Sequence, residues 1–151
     1  MKKKILITVL IVFIAVAWFI NDQSKYTTYE SAISEWSIDR KGIVEVEVEI
    51  DDKRNHKLVH SNSQEVIQSI IEKPKKMELK ETDKTPSIDY LITIRTSTST
   101  YSAANGSYYT IALGKEFVHL PDAAYKVVGE NKLYDIIENT DFNWESKRPG
   151  H

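Results

Sequence analysis

Residues 42–50 read Gly-Ile-Val-Glu-Val-Glu-Val-Glu-Ile (GIVEVEVEI), and the strict alternation within them decides the class of fold. Residues two apart share one face of a strand, so Val44, Val46, Val48 and Ile50 point one way and Glu45, Glu47 and Glu49 the other. A strand apolar on one side and acidic on the other belongs to an antiparallel sheet with one face on a core and one in water. Parallel strands, buried on both faces, do not carry this pattern. The glutamates are expected to form a solvated face rather than a metal site. Carboxylates about 7 Å apart along a strand cannot converge on one ion, and calcium takes about six to eight oxygens from a curved loop.

Downstream, the charged turn Asp51 to Asn55 leads to a short strand around Lys57-Leu58-Val59, giving a hairpin. A helix follows, with Asn62 and Glu65 as reciprocal caps, an apolar stripe of Val66, Ile67, Ile70 and Ile71, and Pro74 as its stop. Lys75 to Lys80 returns to alternation, with Met77 and Leu79 inward. Laid beside the first strand, Lys76 and Lys80 would face the glutamates. Ser87 to Arg95 reads as a central strand with Ile88, Tyr90, Ile92 and Ile94 on one face. The hydroxyl-rich run from Thr96 extends that strand or forms a loop, and it contains the hairpin dipeptide Asn105-Gly106. A second turn at Gly114-Lys115 sets Ile111 opposite Val118, Tyr109 opposite Leu120 and Thr110 opposite His119. Tyr125 to Val128 is expected as an edge strand, and Glu130 to Leu133 opens a last helix with Leu133, Ile136 and Ile137 inward.

Upstream, Thr27 and Glu30 have capping-box spacing, and Tyr29, Ile33 and Trp36 recur on one face of a short helix. Ahead of it, Ile5 to Ile20 is an uncharged apolar run preceded by Lys2, Lys3 and Lys4. Such a block is an export or membrane signal, and the lysines place the N-terminus in the cytoplasm and everything after Asn21 outside. Three outcomes are open, the least expected being a buried core helix. Retained, the run is a single-pass anchor, although its length of roughly 24 Å falls short of a hydrocarbon core of about 30 Å. Cleaved after Ala17, it leaves a secreted chain beginning at Trp18.

The expected organisation is therefore a membrane anchor or signal segment at 1–22, a tether and short helix at 23–42, an extracytoplasmic domain at 43–140 and a polar tail at 141–151, with Phe142 and Trp144 able to fold back. The fold class is α+β: an N-terminal transmembrane helix, then one small domain with a mostly antiparallel sheet of five or six strands and two or three helices on one face.

Composition narrows the chemistry. The chain has no cysteine, which excludes disulfides, thiolate metal ligands and a thiol nucleophile. Of 20 Lys and Arg, three precede the apolar run, leaving 17 against 22 Asp and Glu, a net charge of about −5 beyond it. Nucleic acid is not an expected partner for so acidic a domain. His56 and His60 have a helical metal spacing, but on a strand they stand too far apart to chelate together. His119 is expected on the outer face. There is no GxSxG elbow and no phosphate-cradling glycine loop among five glycines. Asp89 with a glutamate is the pairing that glycoside hydrolysis would require. No catalytic residue, metal ligand or cofactor is assigned. The candidate binding residues are Tyr101, Tyr108 and Tyr109, whose rings carry polar tips suited to a glycan or protein surface.

The apolar N-terminal run, the alternating strand pair, Ser-Asn-Ser-Gln-Glu-Val-Ile at 61–67, Asp89-Tyr90-Leu91-Ile92 and the closing Tyr125 to Ile137 resemble small single-pass extracytoplasmic proteins of unknown function from Bacillus-type Gram-positive bacteria. The resemblance implies a regulatory or interaction domain outside the membrane and carries no catalytic residue over. The expected function is a membrane-anchored extracytoplasmic interaction domain without catalysis, its partner a protein or the cell wall. The alternatives are a cell-envelope hydrolase and an immunity-type protein that binds a toxin at the membrane.

Overall fold

A computed structural model describes residues 2–34, 42–50, 57–84, 87–96, 107–142 and 145–146. The chain runs α1 (Lys2–Gln23), β1 (Tyr26–Thr28), α2 (Tyr29–Ser34), β2 (Ile43–Ile50), β3 (Lys57–Ser61), α3 (Gln64–Ile71), β4 (Glu78–Glu81), β5 (Tyr90–Thr96), β6 (Tyr108–Gly114), β7 (Phe117–His119), β8 (Ala124–Val128), α4 (Lys132–Asn139) and β9 (Glu145–Ser146). All strands join one sheet in the order β1-β4-β8-β7-β6-β5-β2-β3-β9, and every pairing is antiparallel.

The antiparallel α+β reading holds in kind, but the expected sheet of five or six strands is in fact nine. The additional strands come from segments with weak alternation. Tyr26–Thr28, read as tether, pairs with β4, and Glu145–Ser146, read as tail, pairs with β3. Phe142 is buried in the core beside it. The expected N-terminal transmembrane helix is also corrected. Residues 2–23 are helical, but among the described residues no helix is long and apolar enough to cross a membrane. The apolar run is short for the task, and Asn21 and Asp22 end it within the same helix.

One face of the sheet holds the core. Val46 and Val48 on β2 pair with Ile94 and Ile92 on β5, and Ile92 pairs in turn with Ile111 on β6. Leu113, Val118, Val127 and Leu79 continue the apolar surface across β6, β7, β8 and β4. The short helices cover it with Tyr29, Ala32 and Ile33 from α2, Ile67, Ile70 and Ile71 from α3, and Leu133 and Ile137 from α4. Fully burying each such aliphatic side chain stabilises the fold by about 1.5–3 kcal/mol. The alternation of β2 fails at one point. The ladder shifts between Ile43 and Glu45, so Ile43 is buried and Val44 exposed.

The caps and turns differ from expectation by small steps. Thr28, not Thr27, caps α2, since its Oγ1 accepts from the Ser31 backbone N–H at 3.2 Å. Ser63, not Asn62, is the N-cap of α3, without a side-chain bond to the helix. The β6–β7 turn falls at Lys115-Glu116 rather than Gly114-Lys115, so Leu113 faces Val118 and His119 faces Ala112. Gly114 is required there for another reason: a Cβ on it would lie 2.2 Å from the Ser87 carbonyl oxygen. Strand β8 is interior, between β4 and β7, not at an edge. The expected turn residues Asp51 to Asn55 and Asn105-Gly106 lie outside the described residues, as does Trp36.

Asn131 ties the last helix to the sheet. Its Oδ1 accepts from the Tyr134 backbone N–H at 3.1 Å, capping α4, while Nδ2 donates to the carbonyls of Gly114 at 3.0 Å and Lys115 at 3.2 Å. Both ends of a buried amide are thereby satisfied.

Candidate interaction surface

Because α2, α3 and α4 all pack on one side, the opposite side of the sheet carries no helix among the described residues. The ladder registers place its residues in rows. Glu45, Arg95 and Tyr108 form one, and His60, Glu47, Thr93 and Thr110 the next. Leu58, Glu49, Leu91, Ala112, His119 and Ala124 form a third, and Phe117, Lys126, Lys80 and Tyr26 a fourth. Hydroxyl, aromatic and small apolar groups are therefore mixed at the centre, with charge at the flanks.

The β2 flank is acidic and internally bonded. The Arg95 guanidinium donates to Glu45 at 3.1 Å, and His60 Nδ1 lies 3.2 Å from Glu45 and 3.3 Å from Glu47. Lys76 and Lys80 do not face these glutamates, because β4 lies near the other end of the sheet. Lys80 instead pairs with Asp22 at 2.8 Å, with its ammonium 4.7 Å from the centre of the Tyr26 ring. The Asp22 hydrogen bond holds the Lys80 pKa above its ordinary value. This clasp fixes the end of α1 against the sheet edge, and the Glu81 backbone N–H adds a bond to the Lys25 carbonyl at 2.9 Å.

Of the candidate binding residues, Tyr108 stands on the helix-free face with 66% of its surface exposed. Tyr109 points the other way and packs against the core. Tyr101 lies outside the described residues. The face does not bring the three tyrosines together. His60 and His119 are both on it but on strands well separated in the sheet, while His56 lies outside the described residues. Among the described residues, no group of three or more His, Cys, Asp or Glu side chains is arranged to hold a metal ion.

A second polar cluster sits where α4 crosses the sheet. The Tyr90 hydroxyl donates to Glu138, and the Tyr90 and Tyr134 rings meet edge to face with centres 5.6 Å apart. Desolvation, then the hydrogen bond to Glu138, pushes the Tyr90 pKa up; desolvation, then the charges of Asp89 and Glu138, does the same to Tyr134. Phenols held protonated beside carboxylates are donors, not nucleophiles, so the cluster fastens the helix. Asp89 is engaged here with tyrosines. Tyr29, fully buried at the start of α2, has its hydroxyl unpartnered among the described residues, and burial raises its pKa as well.

The residues that sequence reasoning missed are Arg95 and Lys126, because only the strand order shows which flank each occupies. No family model matches the chain, and neither do the curated proteins or the solved structures.

Proposed function

We propose that the chain is a non-catalytic interaction domain that works outside the cytoplasm, held at the membrane through Ile5 to Ile20, with the helix-free face of its sheet as the docking surface. The observation that carries this reading is the exposure of α1. Ile7 and every residue from Val9 to Ile20 is exposed, and the large apolar side chains among them retain about half or more of their surface. A helix apolar on all sides needs an apolar surrounding on all sides. Leaving this one in water costs about 25 cal/mol for each Å² of apolar surface. Lipid removes that cost. Cleavage after Ala17 would release the same domain as a diffusible binder.

The choice of the helix-free face rests on its composition. Exposed Tyr108, hydroxyls at Thr93 and Thr110, and half-buried Leu91 are groups that associate through partial burial and hydrogen bonding. The test is the intact mass of the chain recovered from fractionated cells, with protease added to unbroken cells. The reading expects a full-length chain in the membrane fraction that external protease digests, or a chain beginning at Trp18 in the medium. A full-length chain free in the cytoplasm would overturn it.

A further inference from the structure

We propose that the groove between the end of α1 and the β1–β4 edge of the sheet binds a neutral saccharide. The groove measures about 490 Å³ and is lined by Gln23, Tyr26, Thr27 and Glu78. Sites for small molecules span about 300–1,000 Å³, so its volume suits a sugar ring or two. The path of the chain creates it. Helix α1 ends at Gln23 and β1 opens at Tyr26, and the corner between them is held by the Asp22–Lys80 pair at 2.8 Å and by the Glu81 N–H bond to the Lys25 carbonyl at 2.9 Å. None of these residues lies within the apolar run, so the inference is independent of the membrane-held reading.

The charges at the groove narrow the ligand. Glu78 is exposed and is the only charged side chain among the described lining residues, so it repels a phosphate or a carboxylate. A ligand ammonium meets a different obstacle. The Lys80 ammonium already stands 4.7 Å from the centre of the Tyr26 ring, where a cation is drawn to the ring face, and it already pairs with Asp22. Lys80 also follows Glu78 by two residues on β4, on the same face and about 7 Å along the strand, and it opposes a second cation there. Both signs of charge are disfavoured, which leaves a neutral polar molecule.

The remaining groups match the two sides of a sugar ring. Gln23 offers an amide oxygen and an NH2 group, Thr27 a hydroxyl, and Glu78 two carboxylate oxygens that accept from neighbouring hydroxyls. Tyr26 keeps 41% of its surface exposed. With Lys80 over one face of its ring, the other face is left for the apolar C–H side of a pyranose, while the phenol tip stays polar.

The test is saturation-transfer NMR on the full chain with sugars that differ in charge. N-acetylglucosamine and diacetylchitobiose are the neutral probes, glucuronate the anion, and glucosamine below neutral pH the cation. Transfer to the ring C–H protons of the neutral sugars is expected, with at least about fivefold weaker binding of the charged ones. Tyr26→Ala should weaken diacetylchitobiose binding by about fivefold or more, while Tyr108→Ala, which removes an exposed tyrosine elsewhere on the sheet, should leave it unchanged. Each variant is first checked for an unchanged melting curve, and if Tyr26→Ala disturbs it, the exposed Gln23→Ala replaces it, with weakened binding again expected. No transfer to either neutral sugar at millimolar concentration, equal transfer to charged and neutral sugars, or transfer that survives the groove variant would overturn the inference. Cleavage after Ala17 leaves the whole groove in place, so failure here would not touch the membrane reading, nor would failure of that reading touch the groove.

Discussion

Helix α1 and helix α3 are both rich in isoleucine and valine, yet among the described side chains one leaves them exposed and the other buries nearly all. In α3 the apolar residues recur as Val66, Ile67, Ile70 and Ile71 on one stripe, and Ile70 is fully buried against the sheet. In α1 they run consecutively from Val9 to Phe13 and beyond, so no single face exists to turn inward. A sheet can cover a stripe but cannot surround a cylinder. Periodicity, not apolar content alone, therefore decides whether the chain's own core can receive a helix.

Substitutions can break this contrast. Ile70→Asp places an unpaired charge in the core, at a cost on the order of 5 kcal/mol, and the cooperative thermal transition should vanish. A folded, normally melting variant would refute the core assignment. Asn131→Ala should cost about 2–3 kcal/mol in urea unfolding, since it removes the α4 cap and leaves the Gly114 and Lys115 carbonyls without their donor. Asn131→Asp, which retains the cap acceptor but loses the donors, should recover only part of that loss. Replacing Glu45, Glu47 and Glu49 together with Gln should lower stability by less than about 1 kcal/mol, because the bonds to Arg95 and His60 are half-exposed. A larger change would mean that the row does more than line a wet face. Phe13→Asp should shift the unfolding free energy by no more than about 0.5 kcal/mol, because the Phe13 ring is exposed and buries nothing in the domain's core.

The core was readable wherever alternation or helical periodicity was strong. Val46, Val48, Ile92, Ile94, Ile67 and Ile70 all face inward as their spacing requires. Reading failed where the cause was not local. Nothing within Tyr26–Thr28 or Glu145–Ser146 marks a strand; each is one because a neighbouring edge offers it partners. The strand order was likewise beyond local pattern, so Lys80 was set beside the glutamates when it stands beyond β8. The bulge at Val44 and the one-residue shift of the β6–β7 turn are backbone events that period-two patterning cannot show. For the surface, Tyr108 was visible as a candidate, but only the sheet register separates it from Tyr109 and places Arg95 and Lys126 on the same face.

The most direct test of the account is flotation of the purified full chain with liposomes, beside the full chain carrying Phe13→Asp and Ile14→Asp. The account predicts that the unaltered chain rises with the lipid, while the altered chain stays in the dense fraction with the same melting curve. An unaltered chain that remains in the dense fraction, folded and unbound, would contradict it.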